Sequence, residues 1–448
     1  MIISIRKFLT WIRSRALVWD IIITTGWSTV GKGVGFFVPF FIAAWFGVTA
    51  ETDAFFFAYG LILFFSMVFA PVVESVIVPY IAQAKSKNED VGKFVGRILG
   101  VSGIGLLILT GIVLLAIRPV LFVITRFDSQ ELDLVYWVLV ETAPLIILLV
   151  WSSILAGTLN AYKKFVFPAI TPMFRAVFNI GFIFIFKDAL GVHAIALGYV
   201  VGEIIRLAVL VGVIKRLKFF KLGLSFSLDP KLKEFLKTAS YQTIGMTAAG
   251  LNLIVDKTMA SWLGSGSVSV LYYADRLYMI PVSFLYIGLF PVVLSHWSQD
   301  YYQNKEELLL LRKANKAAKV AFLICVIVAM ILAFFSRTLV YLAFGRGEFD
   351  LKYLHIVQWT FICYLLGLIP YVVGSMFTRA HLVLKNTRFL MKLAILNCFL
   401  NVVLNYILMQ FIGVVGIALA TSITVSVIAI LLFRSFYKES KYLKAQSA

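Results

Sequence analysis

Long apolar runs, interrupted by short clusters of Lys, Arg, Gly and Asn, set the pattern of this chain. An apolar run of 20 or more residues crosses a hydrocarbon core of about 30 Å as an α-helix, because a helix satisfies its own backbone polar groups where no water can. The pattern predicts spans near 18–46, 54–81, 95–117, 132–159, 165–186, 190–214, 235–262, 267–296, 317–343, 353–378, 388–410 and 413–435. Several are longer than a crossing requires, so tilt, bends or extension past the lipid are expected. Pro39, Pro71, Pro144, Pro172, Pro281 and Pro370 fall inside spans and mark candidate kinks. The expected fold class is an all-α polytopic membrane protein with about twelve transmembrane helices.

The connections between runs carry the orientation. Of the 41 Lys and Arg, five (Lys32, Arg175, Arg206, Lys257 and Arg276) lie deep within spans, and six (Arg118, Arg126, Lys187, Arg337, Arg346, Lys352) lie in the odd-to-even connections or at the span ends beside them. The other 30 cluster at the N-terminus, the even-to-odd connections and the C-terminus, counted with the span ends beside them. Basic residues accumulate on the cytoplasmic side, so both termini are expected there, in a bacterial cytoplasmic (inner) membrane. Residues 1–15 form a basic lead-in holding Arg6, Lys7, Arg13 and Arg15, and the apolar run behind it is too long for a signal-peptide core.

The longest basic connector, Lys215 to Lys237, divides six spans from six. The expected organisation is an N-terminal lobe over 1–214, a basic linker over 215–234 and a C-terminal lobe over 235–448 with a short cytoplasmic tail. An internal similarity coincides with the division. Trp45-Phe46-Gly47 before Phe55-Phe56 matches Trp262-Leu263-Gly264 before Tyr272-Tyr273, and Gly191 to Leu197 matches Gly413 to Leu419, which sets Asn179 on Asn401. An even number of spans per half makes the repeats parallel, and two six-helix lobes around a central cavity with alternating access are the usual outcome.

Composition narrows the classes further. With 61% hydrophobic and only 14% charged residues and a mean hydropathy of +0.95, a water-facing single-core fold is excluded. The net charge of +19 raises nucleic acid as a partner, but the positive-inside placement of the basic residues argues against it. Cys325, Cys363 and Cys398 lie in or beside apolar runs without ligand spacing and read as buried small hydrophobes. His193, His296, His355 and His381 are scattered, so no metal site is expected.

Ionisable residues inside spans are where function concentrates, since each is costly against lipid and must face protein or a wet cavity. They are Lys32, Glu74, Glu141, Arg175, Glu203, Arg206, Asp256, Lys257, Asp275 and Arg276. Lys32 sits in Gly31-Lys32-Gly33-Val34-Gly35 and reads either as an anion-facing cation or as a structural charge partner. Glu203 and Arg206 are three apart on one helix face, which favours an intrahelical ion pair. Arg175 has no close sequence partner, and cavity lining and structural pairing stay equally open. Asp256 and Lys257 point in different directions, one toward another helix and one toward the cavity, in either order. Arg276 is a candidate for gripping a phosphate oxygen through its fork of donors, against a structural pairing. Glu74 and Glu141 are candidates for ion or proton coupling, against neutralising an interior cation. No catalytic constellation, cofactor motif or ATP-binding segment is present, so a transporter powered by an ion gradient, the membrane potential or substrate supply is expected in place of an enzyme.

Glu51-Thr52-Asp53-Ala54-Phe55-Phe56-Phe57-Ala58-Tyr59, continued through Val78 to Lys87, together with Ser265 to Leu277, Phe344 to Phe349 and Asn401 to Asn405, resembles the MviN-like lipid II flippase family. The resemblance implies the fold of the multidrug/oligosaccharidyl-lipid/polysaccharide exporter superfamily. It also implies transport of an undecaprenyl-diphosphate-linked glycan, used in cell wall or polysaccharide biosynthesis, between leaflets. By the same resemblance Lys32 takes the position of a first-helix cavity arginine, and Asp53 and Asp275-Arg276 are retained. Val38, Ser66-Met67 and Met279 depart from the family pattern, which leaves a thinner ring of cations, rebuilt in part by Arg175, Arg206 and Lys257. Two further C-terminal helices common in the family are not expected before Ala448. Envelope-assembly glycosyltransferases or polymerases are the expected protein partners. An ion-coupled exporter of small amphipathic molecules and a membrane scaffold in envelope assembly are the competing readings.

Overall fold

The apolar runs fold as helices, since each must close its own hydrogen bonds in lipid. The computed structural model describes residues 16–87, 89–218, 223, 225–227, 229–284, 297, 307–384 and 386–446. The first half comprises α1 (Ala16–Phe46), α2 (Ala50–Ser86), α3 (Val91–Ile124), α4 (Ser129–Thr142), α5 (Pro144–Ala161), α6 (Val166–Leu190) and α7 (His193–Leu217). The second comprises α8 (Pro230–Ala260), α9 (Ser267–Phe284), α10 (Glu307–Phe334), α11 (Ser336–Phe344), α12 (Leu354–Val383), α13 (Thr387–Ile412) and α14 (Val414–Gln446). Residues 1–15, 285–296 (including His296) and linker positions 219–222, 224 and 228 lie outside the described residues, and Pro71 is described in its backbone alone.

Among the described residues ten helices are long and apolar enough to cross a membrane, with α4 and α5 counted as one. Of the twelve expected spans, the seventh and eighth fall outside that ten. The seventh corresponds to α8, which is 31 residues long but carries Lys231, Lys233, Glu234 and Lys237 at one end and Asp256 and Lys257 at the other. The eighth corresponds to α9, described as far as Phe284.

Two of the expected spans are interrupted, one of them at Pro144, a candidate kink. Pro144, which has no N–H to donate, opens α5 immediately after α4 ends at Thr142. The Thr142 hydroxyl turns back to the Val138 carbonyl at 2.6 Å. The expected span 317–343 breaks at Phe335 between α10 and α11, with no proline or glycine to signal it, and Gln358 of α12 donates to the Ser336 hydroxyl at 3.1 Å beside the break.

The chain forms two compact units. One holds Met1–Phe41, Ala58–Leu121 and Leu132–Thr247; the other holds Ile42–Phe57, Phe122–Glu131 and Ala248–Ala448. In the first, α6 and α7 meet so closely that a Cβ on Gly202 would collide with the Arg175 carbonyl oxygen. In the second, α12 and α14 pack through Gly367 on Ser422 and Gly374 on Ala429, and the Ser422 hydroxyl donates to the Cys363 carbonyl at 2.6 Å.

The internal similarity is visible in backbone geometry. Gly191, between α6 and α7, has φ 55° and ψ −138°, and Gly413, between α13 and α14, has φ 58° and ψ −138°. Each donates its N–H four residues back, to Lys187 at 2.9 Å and to Met409 at 3.0 Å, closing the preceding helix in a conformation that glycine adopts without strain. Asn179 and Asn401, paired by the same offset, are both fully buried.

Candidate functional site

The first unit gathers its charges where α6 and α7 meet. Glu203 of α7 is fully buried and accepts from Arg206 at 3.0 Å and from Arg175 of α6 at 3.4 Å. The intrahelical pair Glu203–Arg206 forms, and Arg175 joins it because the tight Gly191 turn and the glycine contact at Gly202 bring α6 against α7. The Arg175 side chain keeps 32% of its surface open, and Arg206 12%. Tyr59 stacks on Tyr199 at 4.4 Å beside them.

Glu74 of α2 accepts from Asn160 at 3.1 Å and lies within electrostatic reach of Arg206 and Lys32. Lys32 is exposed on α1, next to Gly31, which abuts the Ala169 backbone of α6 and so fixes the height of Lys32 along that helix. This cluster holds three cations, Lys32, Arg175 and Arg206, against two carboxylates, Glu74 and Glu203. Glu141 stands apart on α4, paired with His193 at 2.7 Å.

The second unit holds a separate cluster. Asp53, only 1% exposed at the start of α2, accepts from the backbone N–H of Gly266 at 2.7 Å, Val268 at 3.4 Å and Ser269 at 2.7 Å. These amides belong to the turn before α9 and to its first turn, which have no acceptor within the helix, so Asp53 caps α9 from another element and its charge complements the helix N-terminus. Beside it the Ser269 hydroxyl donates to the Thr52 hydroxyl at 2.9 Å, and Tyr273 donates to the Gly47 carbonyl at 2.9 Å. Phe56 stacks on Tyr272 with ring centres 3.9 Å apart. The offset that aligns Gly47 with Gly264 sets Thr52 on Ser269 and Phe56 on Tyr273, so residues at equivalent sequence positions of the two repeats touch one another.

Lys257 is 6% exposed and donates to the Phe56 carbonyl at 2.6 Å. Its ammonium lies 5.2 Å from the Tyr272 ring centre, and the Arg276 guanidinium lies 4.6 Å from the same ring. Asp275 is within electrostatic reach of both cations. Asp256, the neighbour of Lys257, points the other way and accepts from Asn405 of α13 at 2.6 Å, whose amide also donates to the Asn401 side-chain carbonyl at 3.3 Å. Here three carboxylates, Asp53, Asp256 and Asp275, stand against two cations. Among the described residues no group of three or more His, Cys, Asp or Glu is placed to hold a metal ion.

The structure thus joins Lys32, Arg175, Arg206, Glu74 and Glu203 in one unit, and Asp53, Lys257, Asp275, Arg276 and Asp256 in the other. It adds partners the sequence reading did not single out: Asn160, Thr52, Ser269, and Asn405 as donor to a carboxylate with Asn401 accepting from the same amide. The last two stand at i, i+4 on one helix face, which was the available signal.

The arrangement can be set beside known proteins. A family model, lipid II flippase MurJ, matches residues 42–448. A probable lipid II flippase MurJ of Buchnera aphidicola subsp. Acyrthosiphon pisum (strain APS) is 25% identical over 421 residues, covering 92% of this chain and 82% of that protein. The lipid II flippase MurJ of Burkholderia cenocepacia is 25% identical over 432 residues, covering 93% and 83%. The solved structure of a lipid II flippase MurJ in an inward closed conformation aligns with a TM-score of 0.80 at 25% identity, over 92% of this chain and 87% of that one. An inward-facing multidrug resistance MATE family transporter of the MOP superfamily aligns at 0.79 over 96% of this chain with 16% identity, a likeness of fold. With the family model matched over nearly the whole chain, this protein belongs to the lipid II flippase MurJ family.

Proposed function

We propose that this multi-pass inner-membrane transporter moves an undecaprenyl-diphosphate-linked glycan, lipid II or a related precursor, from the inner to the outer leaflet by alternating access. Membership of the flippase family across residues 42–448 is the observation that carries the reading. The charge distribution supports it. A diphosphate head needs cationic donors in a wet site, while its prenyl tail stays in lipid. In the first unit the cations outnumber the carboxylates, and the exposed Lys32 is the group best placed to meet an anion, with the partly open Arg175 and Arg206 behind it.

Arg276 and Lys257 serve as a second pair of donors that becomes available when their contacts with Tyr272 and the Phe56 carbonyl open. The cap of Asp53 on α9 is the fastening that this opening releases. Both termini face the cytoplasm in this reading, and an ion gradient or the membrane potential supplies the drive. Binding of lipid II to the detergent-solubilised full chain tests the reading, with a neutral diacyl lipid of equal chain volume as reference. Wild type binds lipid II selectively, and Lys32→Ala weakens that binding about tenfold to a hundredfold, the range of a charge-assisted contact. Equal affinity for both lipids, or an unchanged affinity in a folded Lys32→Ala variant, contradicts it.

A further inference from the structure

Two grooves flank α10 within the second unit. One has a volume of 660 Å³ and runs between α10, α12 and α14; its floor is Leu311, Ala318, Phe377 and Phe436. The other, of 390 Å³, lies on the opposite side of α10 against Trp297 and Met376. Both volumes fall in the range of about 300–1,000 Å³ that small ligands occupy.

The polarity of each groove changes along α10 in the same sense. Toward the start of α10 the first groove carries Arg312, Asn315 and Lys319, and the second carries Lys313 and Lys316. Farther along, the first is walled by Phe322 and Leu323 with Phe433 from α14, and the second by Val320 and Ile324. Arg312 and Lys319 are seven residues apart, two helical turns or about 10 Å on one face, so both address the same stretch of groove. Arg312, Lys316 and Lys319 are exposed, and among the described residues none forms an ion pair. The wall residues Phe322 and Leu323 are exposed as well, at 51% and 64%, which is the surface a membrane helix presents to acyl chains.

Cations at one level and an open aromatic trough beyond it complement a molecule with an anionic head and apolar chains. Basic pockets between transmembrane helices at the cytoplasmic side are sites for anionic lipid headgroups, and the start of α10 is the end that the positive-inside count assigns to the cytoplasm. We propose that these grooves bind an anionic glycerophospholipid of the inner leaflet. Its phosphate is held by Arg312 and Lys319, one acyl chain lies over Phe322, Phe377 and Phe433, and Lys313 and Lys316 hold a second lipid across α10. This lipid is a resident of the protein surface and is separate from the transported molecule.

Native mass spectrometry of the full chain in detergent tests the site, with titration of phosphatidylglycerol and of phosphatidylcholine of the same acyl composition. Wild type retains phosphatidylglycerol in preference to phosphatidylcholine. Arg312→Gln/Lys319→Gln lowers that affinity about 25-fold, about fivefold for each basic residue facing an anionic lipid. Phe433→Asp, which keeps all four cations but puts a charge in the trough, weakens retention as well, and a monodisperse elution profile with unchanged helicity establishes that each variant is folded. Equal retention of the two lipids, or unchanged phosphatidylglycerol affinity in the folded double variant, overturns the proposal. So does competition by inorganic phosphate alone, which assigns the cations to a free anion, or full displacement by undecaprenyl phosphate, which assigns the grooves to the transported class.

Discussion

Replacing Asp53 with Asn isolates the cap on α9. The carboxylate offers two oxygens to three amides, Gly266, Val268 and Ser269, and a negative charge to a helix N-terminus. An amide side chain keeps one acceptor and no charge, so either the Gly266 and Val268 amides or the Ser269 amide loses its partner. A hydrogen bond to a charged group contributes about 1.5–3 kcal/mol, and a buried donor left unpaired costs about 1–3 kcal/mol. A loss of about 2 kcal/mol raises the population of the opened junction about 30-fold. Hydrogen–deuterium exchange of the full chain, followed on peptides spanning 262–274, reads this directly, because the amides that bind Asp53 are the ones whose exchange is measured. Exchange of Gly266 and Ser269 is expected to accelerate about 30-fold in Asp53→Asn. Glu51→Gln, an exposed change two residues earlier, leaves it unaltered. Wild-type exchange in a folded Asp53→Asn variant would refute the reasoning.

Three further outcomes follow from the same contacts. Glu203→Gln leaves Arg175 and Arg206 without their shared carboxylate, so the melting temperature in detergent should fall by the equivalent of about 3–5 kcal/mol, with partial recovery in Glu203→Gln/Arg206→Gln; identical melting of the single variant and wild type would show that the triad contributes nothing. Asn405→Ala strips a 2.6 Å donor from the Asp256 carboxylate and should cost about 1.5–3 kcal/mol in the same melting assay, and less in an Asp256→Asn background, so additivity of the two changes would remove the claimed coupling. Gly202→Ala forces α7 away from the Arg175 carbonyl and should destabilise by about 1–3 kcal/mol, whereas Gly212→Ala, at a position with open space, should not.

The features legible in the sequence were the local ones. Apolar run length located the helices, Pro144 marked a real break, and the match of Gly191 with Gly413 anticipated two turns of nearly identical dihedrals. The Glu203–Arg206 pair was readable because three residues separate partners on one helix face. What stayed hidden depends on which distant helices touch. Arg175 meets Glu203 across 28 positions and Asp53 meets Ser269 across 216, and no spacing rule reaches that far. Lys257 could not be assigned from sequence because its partner is a backbone carbonyl, which every residue possesses. The break at Phe335 was equally silent, since the chain carries no residue there that is unable to continue a helix.

Transport itself is read by leaflet-resolved translocation of lipid II in proteoliposomes. Protein of both wild type and a folded Lys32→Ala variant is reconstituted under an imposed ion gradient and membrane potential, and the headgroup reaching the opposite leaflet is counted over time. Rapid transfer by wild type and loss of most of that rate in Lys32→Ala are expected. Absence of transfer of lipid II and of any other undecaprenyl-diphosphate glycan by intact wild-type protein, or undiminished transfer by Lys32→Ala, would contradict the proposed transport.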